Sequence, residues 1–336
     1  MAITLKAKNR IQTSMKGVHK IQEELTIQEF IDLHTDFIRD KRLENLSQRT
    51  IEDHIYLFSF FTRWITKSHW FDGNQYEENI TKQYLNKHIF NEYKEYMIYE
   101  KHYAACTVNV RLRPLKTYIN WLNKNNFISI NYNLFIKLLK TDEDKVRPLT
   151  KMEIKKLLET ISDYTYARFR DSIITLTILD CGIRIKELLS LTIYDINEKD
   201  SYLNIRASVS KTRSERILPI SKYTLNLIVQ LKNIAIENNN EYLFLSTSGK
   251  NAIHTQDIFH NFRRYKAEAG IIQKCTPYIL RHTFATEMVK QGVDIFTLQR
   301  IMGHKNITTT RQYIHLDNND LIFKHNEIHI LDHFLK

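Results

Sequence analysis

The stretches TPYILRHTFAT, residues 276–286, and GHKNITTTRQY, residues 303–313, are the most informative parts of this sequence. Arg281 in the first stretch is a cation of the kind that binds phosphate, and His304 in the second is a hydrogen-bonding imidazole. Tyr313, nine residues after that histidine, adds a hydroxyl nucleophile. Such a set can break and rejoin a phosphodiester without metal or ATP. The remaining sequence must then supply a second cation and a proton donor.

Length and composition predict two globular domains with a polyanionic partner. A chain of 336 residues is long enough for two cores, and a formal charge of +11 favours nucleic acid over a neutral ligand. A basic protein without such a partner is the alternative. Three cysteines without a CxxC pair fit a reducing cytoplasm, and no apolar run is long enough for a leader or a membrane span. We therefore expect a cytoplasmic location.

Basic residues are concentrated in two parts of the first half. Residues 1–22 are basic and acid-free, as in a solvated arm, and residues 101–140 contain no Asp or Glu. Apolar residues at helical spacing in the second part predict an amphipathic helix with a cationic face, which suits a phosphate backbone. Pro114 should kink or split this helix. The residues predicted to contact DNA here are Lys101, Arg111, Arg113, Lys116 and Lys124.

Two capping boxes, at Thr26 and Thr150, mark the beginnings of two helical regions. Aromatic residues at helical spacing over 47–65 are expected in a core rather than stacked on bases. In the second region, alternation over 202–207 and 216–220 predicts a β-hairpin. We predict the following segments: a basic arm over 1–22, a helical domain over 23–140, a linker over 141–148, a second domain over 149–316 and a tail over 317–336.

These motifs resemble the tyrosine recombinase (phage integrase-like) family over about residues 25–320. The second domain is similar to the family's catalytic domain, and LSQRTI, residues 46–51, to the opening of its helical core-binding domain. The resemblance implies a mainly α fold, in which the core-binding domain joins a mixed α+β catalytic domain with a small antiparallel sheet. It also implies double-stranded DNA at paired sites as the substrate, a tetrameric synapse, and no cofactor or metal.

The string GIRIKEL, residues 182–188, resembles the family's first arginine motif, and LRH, residues 280–282, the second. Arginine suits a phosphate in the transition state because its planar fork binds bidentately and stays charged. Arg184 and Arg281 are thus the predicted phosphate clamp. Glu187, about one turn after Arg184, is expected to orient it. His282 is expected to be a packing residue.

The resemblance implies Tyr313 as the nucleophile and His304 as a phosphate donor. Lys211, in the predicted hairpin turn, is the candidate general acid for the leaving 5′ oxygen, with Lys222 and Lys250 as weaker rivals. Arg213 and Arg216 beside it are predicted to contact DNA.

Tyr278 departs from the family pattern, because a histidine usually stands three residues before the second arginine. A phenol can donate a hydrogen bond to phosphate but is a poor base at neutral pH. We expect Tyr278 to replace the histidine as a donor. The alternatives are that another group takes the proton from Tyr313, or that Tyr278 is itself the nucleophile.

The predicted activity is site-specific DNA recombination through a 3′-phosphotyrosyl intermediate, for integration, excision or transposition of a mobile element. A type IB topoisomerase-like nicking activity and an impaired DNA-binding protein are the alternatives. The apolar tail over 317–336 would dock either on a neighbouring protomer or on its own domain. Its histidines at 325, 329 and 333 recur every four residues and could bind a metal on one helix face, but the predicted chemistry needs no metal.

Overall fold

The computed structural model describes residues 25–67, 84–141, 147–162, 165–211 and 213–313. The chain divides into two compact units, Met1–Glu143 and Asp144–Lys336. The predicted basic arm over 1–22 and the tail over 317–336 lie outside the described residues, as do the tail histidines. None of the described helices is long and apolar enough to cross a membrane.

The first unit is helical throughout its described part. Its elements are α1 (Ile27–Leu43), α2 (Gln48–Lys67), α3 (Lys87–Glu95), a π-helical turn (Tyr96–Glu100), α4 (Ala105–Lys124) and a 3-10 turn (Tyr132–Leu134). The predicted capping box at Thr26 is confirmed: its Oγ1 accepts from the Glu29 amide at 3.3 Å, and Glu29 Oε2 accepts from the Thr26 amide at 3.1 Å.

Aromatic side chains fill the core of the first unit. Phe58, Phe61 and Trp64 of α2 are buried, as the periodicity predicts, and Phe61 meets Phe30 edge-on at 5.7 Å between ring centroids. Tyr56 is different, since 60% of its surface is exposed. The prediction that these aromatic residues lie in a core is therefore confirmed for Phe58, Phe61 and Trp64 but not for Tyr56.

Helix α4 runs unbroken through Pro114, so the predicted split does not occur. Leu112 and Leu115, on either side of the proline, are both buried in the core. Their burial on both sides of Pro114 stabilises the helix there, although the proline ring removes one backbone donor.

The second unit is mostly helical with one small sheet, which confirms the predicted fold class. Its helices are α5 (Lys151–Ile161), α6 (Tyr166–Cys181), α7 (Ile185–Leu189), α8 (Lys222–Glu237), α9 (Thr255–Glu268), α10 (Pro277–Lys290), α11 (Ile295–Met302) and α12 (Thr308–Arg311). A 3-10 turn spans Ile193–Asp195. Helix α5 begins at the predicted capping box of Thr150 and Glu153.

The sheet is an antiparallel meander of β1 (Ile196–Asn197), β2 (Tyr202–Ile205) and β3 (Arg216–Pro219). Leu203 pairs with Leu218, and both side chains are buried. The predicted hairpin is confirmed, but its first strand ends at Ile205 rather than at Ala207. Strand β1 was not predicted, because two residues are too few to show a period.

Two glycines end helices where a side chain could not fit. Gly182 follows α6 at φ +63°, and a Cβ there would lie 2.3 Å from the Phe284 ring. Gly303 follows α11 at φ +61°. A left-handed residue turns the chain sharply at each point, so Arg184 and His304 each follow directly after a helix end.

Candidate active site

Four elements of the second unit bring four of its predicted site residues together. Arg184 is the N-cap of α7, Arg281 lies on α10, His304 follows α11, and Tyr313 follows α12. Only 7% of the surface of Arg281 is exposed to solvent. The side-chain cluster described below is called the arginine cluster and comprises Arg184, Glu187, Arg216, Arg281 and His304.

The two predicted clamp arginines bind consecutive carbonyls at the end of α11. Arg281 Nη2 donates to Met302 O at 2.6 Å, and Arg184 Nη2 donates to Gly303 O at 2.8 Å. Arg281 Nη1 also donates to Gly182 O at 2.5 Å. These bonds fix both guanidinium groups beside one short backbone segment.

Burial lowers the pKa of Arg281 to about 9, and the nearby positive charge of Arg184 acts in the same direction. The group still carries its charge at neutral pH. Two arginines held this close, partly out of water, form a strong site for an anion with two or more acceptor oxygens.

Glu187 is the buried acid of the cluster, with 1% of its surface exposed. Its Oε1 accepts from Arg184 Nη1 at 3.1 Å and from Arg216 Nη1 at 3.2 Å, and its Oε2 accepts from Arg216 Nη2 at 2.7 Å. Burial alone would raise the pKa of Glu187, but the bonds and charges of Arg216 and Arg184 outweigh it and hold that pKa below its usual value. Glu187 therefore stays ionised.

The His304 ring is held by a hydrogen bond at each nitrogen. Its Nε2 lies 3.2 Å from Arg281 Nη2, and its Nδ1 lies 2.9 Å from Thr310 Oγ1. Burial, and then the charges of Arg281, Arg184 and Arg216, lower the pKa of His304 to about 4. The imidazole is therefore neutral at physiological pH.

Tyr313 is buried beside the cluster, with 5% of its surface exposed. It packs with Phe284, Leu298 and Met302, and its ring centroid lies 5.2 Å from that of His282. Burial and the neighbouring Tyr278 raise the pKa of Tyr313, while Arg281 and Arg184 oppose that rise. The phenol is therefore protonated at neutral pH in the free protein.

Tyr278 lies in the first turn of α10, one turn before Arg281, and 55% of its surface is exposed. It is close enough to Tyr313 to affect the pKa of that phenol. Its hydroxyl is thus accessible to a ligand at the edge of the cluster.

Lys211 and Arg213 lie on the loop between β2 and β3, and both are exposed. Within the described part of the chain, Lys211 makes no hydrogen bond or ion pair with the arginine cluster. Arg213 adopts a left-handed backbone, at φ 53°.

The cationic residues predicted for the first unit have different environments. Arg113, Lys101 and Lys124 are exposed. The Arg111 guanidinium lies 3.8 Å from the Phe60 centroid and 4.4 Å from that of Tyr103. Lys116 is turned inward, because its Nζ donates to Asn133 O at 2.9 Å and to Ile136 O at 2.6 Å. The structure thus gives Lys116 a role in holding the segment after α4.

Two members of the site were not assigned to it from sequence. The sequence groups Arg216 with the DNA-contacting residues and does not single out Thr310. One available signal was strand alternation, since Arg216 and the buried Leu218 are two residues apart and share one face of β3. Thr310 offered no such signal among three consecutive threonines.

The described residues contain no group of three or more His, Cys, Asp or Glu side chains that could hold a metal ion.

Known proteins are similar to this chain in sequence and in fold. The sequence model of the phage integrase family matches residues 147–320. Tyrosine recombinase XerA of Pyrococcus furiosus is 32% identical over 217 residues, covering 63% of this chain and 71% of that protein. Tyrosine recombinase XerC of Staphylococcus aureus is 28% identical over 273 residues, covering 78% of this chain and 89% of that protein.

The fold is similar to that of the Tn1549 transposon integrase in complex with a circular intermediate DNA. The TM-score is 0.70 at 21% identity, over 90% of this chain and 99% of that one. The family match spans more than half of this chain and includes every residue of the arginine cluster. The chain therefore belongs to the phage integrase family of tyrosine recombinases, which are DNA strand-exchange enzymes.

Proposed function

We propose that this enzyme is a site-specific recombinase in which Tyr313 attacks a DNA phosphate and forms a 3′-phosphotyrosyl intermediate. The attack releases a 5′-hydroxyl, and a 5′-hydroxyl from a partner strand then attacks the phosphotyrosine and restores the phosphodiester. Each step exchanges one P–O bond for another, so no external energy source is needed.

One observation carries this proposal: Arg184 and Arg281 bind the carbonyls of Gly303 and Met302, directly before His304. A phosphate placed against this segment would meet two guanidinium groups and one imidazole. The remaining donors of the two guanidinium groups would stabilise the charge that grows on the non-bridging oxygens, and each such donor is worth about 10²- to 10³-fold in rate. The imidazole would keep Arg281 in place.

Tyr313 is packed beside this cluster and is protonated at neutral pH, so it must give its proton to solvent water as it attacks. The positive charges of Arg281 and Arg184 already lower the pKa of Tyr313 against the effect of burial. Tyr278, exposed at the edge of the site, would donate a hydrogen bond to the phosphate. Lys211, on the exposed loop, would protonate the leaving 5′ oxygen.

The first unit would bind the DNA backbone through the exposed cations of its acid-free region. Lys101, Arg113 and Lys124 are available for phosphate contacts. Arg111, stacked between Phe60 and Tyr103, presents a fixed charge on the same region. In the second unit, Arg213 on the β2–β3 loop would contact the DNA backbone independently.

We further propose that two DNA sites are joined in a tetramer of this chain, acting in the cytoplasm on a mobile element. Two similarities support recombination as the activity. The fold resembles that of the Tn1549 transposon integrase, and the sequence resembles those of tyrosine recombinases named XerC and XerA.

A plasmid bearing two copies of the target distinguishes recombination from a topoisomerase-like activity. Recombinant products support exchange, and relaxation without recombinants would favour a topoisomerase-like activity.

The decisive experiment uses a nicked suicide DNA, from which the short 5′-hydroxyl fragment is lost after cleavage. Wild type should accumulate a covalent protein–DNA adduct, whereas Tyr313→Phe should form none at equal DNA affinity. Tyr242→Phe is a matched control, because Tyr242 is a half-exposed tyrosine of the same unit away from the cluster. If wild type and Tyr313→Phe both form no adduct, the proposed cleavage is wrong.

A further inference from the structure

We propose that Arg216 is a positioning residue that shares the charge of Glu187 and so keeps Arg184 available to the phosphate. This inference rests on the proposed function. It gives Arg216 a role different from the DNA contact that the sequence suggests.

Arg216 is bonded to two other elements of the site. Two of its nitrogens donate to Glu187 of α7, at 3.2 and 2.7 Å, and its Nε donates to Ile301 O of α11 at 3.3 Å. Its side chain is only 11% exposed. A guanidinium used in this way inside the fold is poorly placed to reach a DNA backbone.

The space around Arg216 is fitted to a planar guanidinium. A Cβ on Gly303 would lie 2.9 Å from Arg216 Cζ and 3.0 Å from its Nε. The guanidinium thus packs against the backbone of Gly303, whose carbonyl also accepts from Arg184. Arg216 and Arg184 therefore both contact Gly303.

The charge balance explains why the second partner of Glu187 matters. Glu187 Oε1 accepts from the guanidinium groups of both arginines, at nearly equal distances, whereas Oε2 accepts from Arg216 Nη2 at 2.7 Å and from the backbone amide of Arg184 at 3.3 Å. Without Arg216, a buried carboxylate would have Arg184 as its remaining cationic partner in this group. Because an unpaired buried charge is costly, Glu187 would draw the Arg184 fork onto both of its oxygens. Arg184 would then have fewer donors for a phosphate.

The test measures single-turnover adduct formation on the nicked suicide DNA, together with the affinity for intact DNA. Arg216→Met should slow adduct formation by about 10²-fold, the loss typical of one misplaced transition-state donor. Affinity for intact DNA should change little. Arg216→Lys keeps the charge without the fork and should lie between Arg216→Met and wild type.

The double variant Arg216→Met/Glu187→Gln provides the discriminating readout. Glu187→Gln replaces the carboxylate by a neutral amide, so Arg184 should no longer be drawn away from the phosphate. The rate of adduct formation should then rise about tenfold above that of Arg216→Met. A purely structural role for Arg216 predicts the reverse, since the second substitution would remove one more contact and slow the reaction further. That result would overturn the inference.

Arg206→Met is the matched control. Arg206 follows β2 in the same hairpin, pairs with the buried Asp195 at 3.0 Å and donates to Ser190 O at 2.7 Å, outside the arginine cluster. It should lose stability as Arg216→Met does but cleave at the wild-type rate where both variants are folded. Equal rates for Arg216→Met and wild type would refute the inference alone. Absence of any adduct with wild type would refute the proposed function instead.

Discussion

Arg281 Nη2 lies 3.2 Å from His304 Nε2. Because a guanidinium can only donate hydrogen bonds, Nε2 of the neutral imidazole must be the acceptor. The ring proton is then on Nδ1 and is donated to Thr310 Oγ1, 2.9 Å away. In the free protein, His304 therefore orients Arg281 rather than offering a donor of its own to a phosphate at Nε2.

The first prediction concerns Thr310, which fixes that tautomer and is fully buried. Thr310→Val keeps the side-chain shape but removes the acceptor for Nδ1–H. A buried donor left without a partner costs about 1–3 kcal/mol, so the melting temperature should fall and adduct formation should slow about tenfold. Thr310→Ser keeps the hydroxyl and should remain near wild type in both measurements. Equal cleavage rates for Val and Ser would show that Thr310 does not orient the ring.

The second prediction concerns Tyr278, the residue that departs from the family pattern. If its hydroxyl donates to the phosphate, Tyr278→Phe should slow adduct formation by about 10²-fold while leaving the fold intact, because 55% of the side chain is exposed. Tyr278→His should restore activity, since an imidazole can also donate. Unchanged cleavage in Tyr278→Phe would exclude the donor role. Sequencing the DNA-linked peptide would show whether the phosphate is joined to Tyr278 or to Tyr313.

The third prediction is that the first unit loses stability in acid. His34 is 8% exposed and stacked on Phe58 at 3.8 Å between ring centroids. Burial, with a contribution from His54, lowers the pKa of His34 to about 3. The native ring stays neutral, whereas the unfolded ring takes up a proton below its ordinary pKa of about 6.5. The free energy of unfolding should therefore fall by about 1.4 kcal/mol per pH unit as the pH drops from about 6.5 towards 3.

Tryptophan fluorescence isolates this transition, because all three tryptophans of the chain lie in the first unit. Urea unfolding of the full chain at several pH values gives the slope. His34→Gln should flatten it, leaving the smaller contribution of His54, whose pKa burial also lowers. The same slope in wild type and His34→Gln would mean that another group controls the acid response.

The sequence predicts the parts of this structure whose signals are local. The caps at Thr26 and Thr150, the glycine stop at Gly182 and the β2–β3 hairpin all depend on residues within a few positions of one another. These signals suffice for the mainly helical class and for the order of the two arginine motifs.

Contacts between distant residues were not predictable in this way. Arg216 and Glu187 are 29 positions apart, and nothing near Arg216 indicates that its partner is a buried acid. The sequence places Lys116 on a cationic helix face, yet Lys116 donates to the carbonyls of Asn133, in the 3-10 turn, and of Ile136, just after it. In both cases a basic side chain makes hydrogen bonds within the protein. Composition alone does not distinguish such a side chain from one that binds DNA.

The fourth prediction concerns a buried ion pair on α6, the helix that leads to Arg184. Asp171 has no exposed surface, and its oxygens accept from Arg170 at 2.9 Å, from Asn261 at 2.8 Å and from the Tyr265 hydroxyl at 2.9 Å. Asp171→Ala would leave the Arg170 guanidinium, which is 1% exposed, without its counter-charge. Breaking such a pair costs about 3–5 kcal/mol, and the second unit should unfold at much lower urea.

Glu268→Ala is the control for this prediction. It removes an ionic partner of Arg168, which also lies on α6, and this pair is partly exposed, with 3.0 Å between Arg168 Nη2 and Glu268 Oε2. That pair should contribute less than about 1 kcal/mol. The second unit contains no tryptophan, so its transition is followed by far-UV circular dichroism after the first-unit transition is assigned by fluorescence. If Asp171→Ala is no more destabilising than Glu268→Ala, the buried network does not support α6. The placement of Arg184 would then have to depend on Gly182 and the packing of α10 instead.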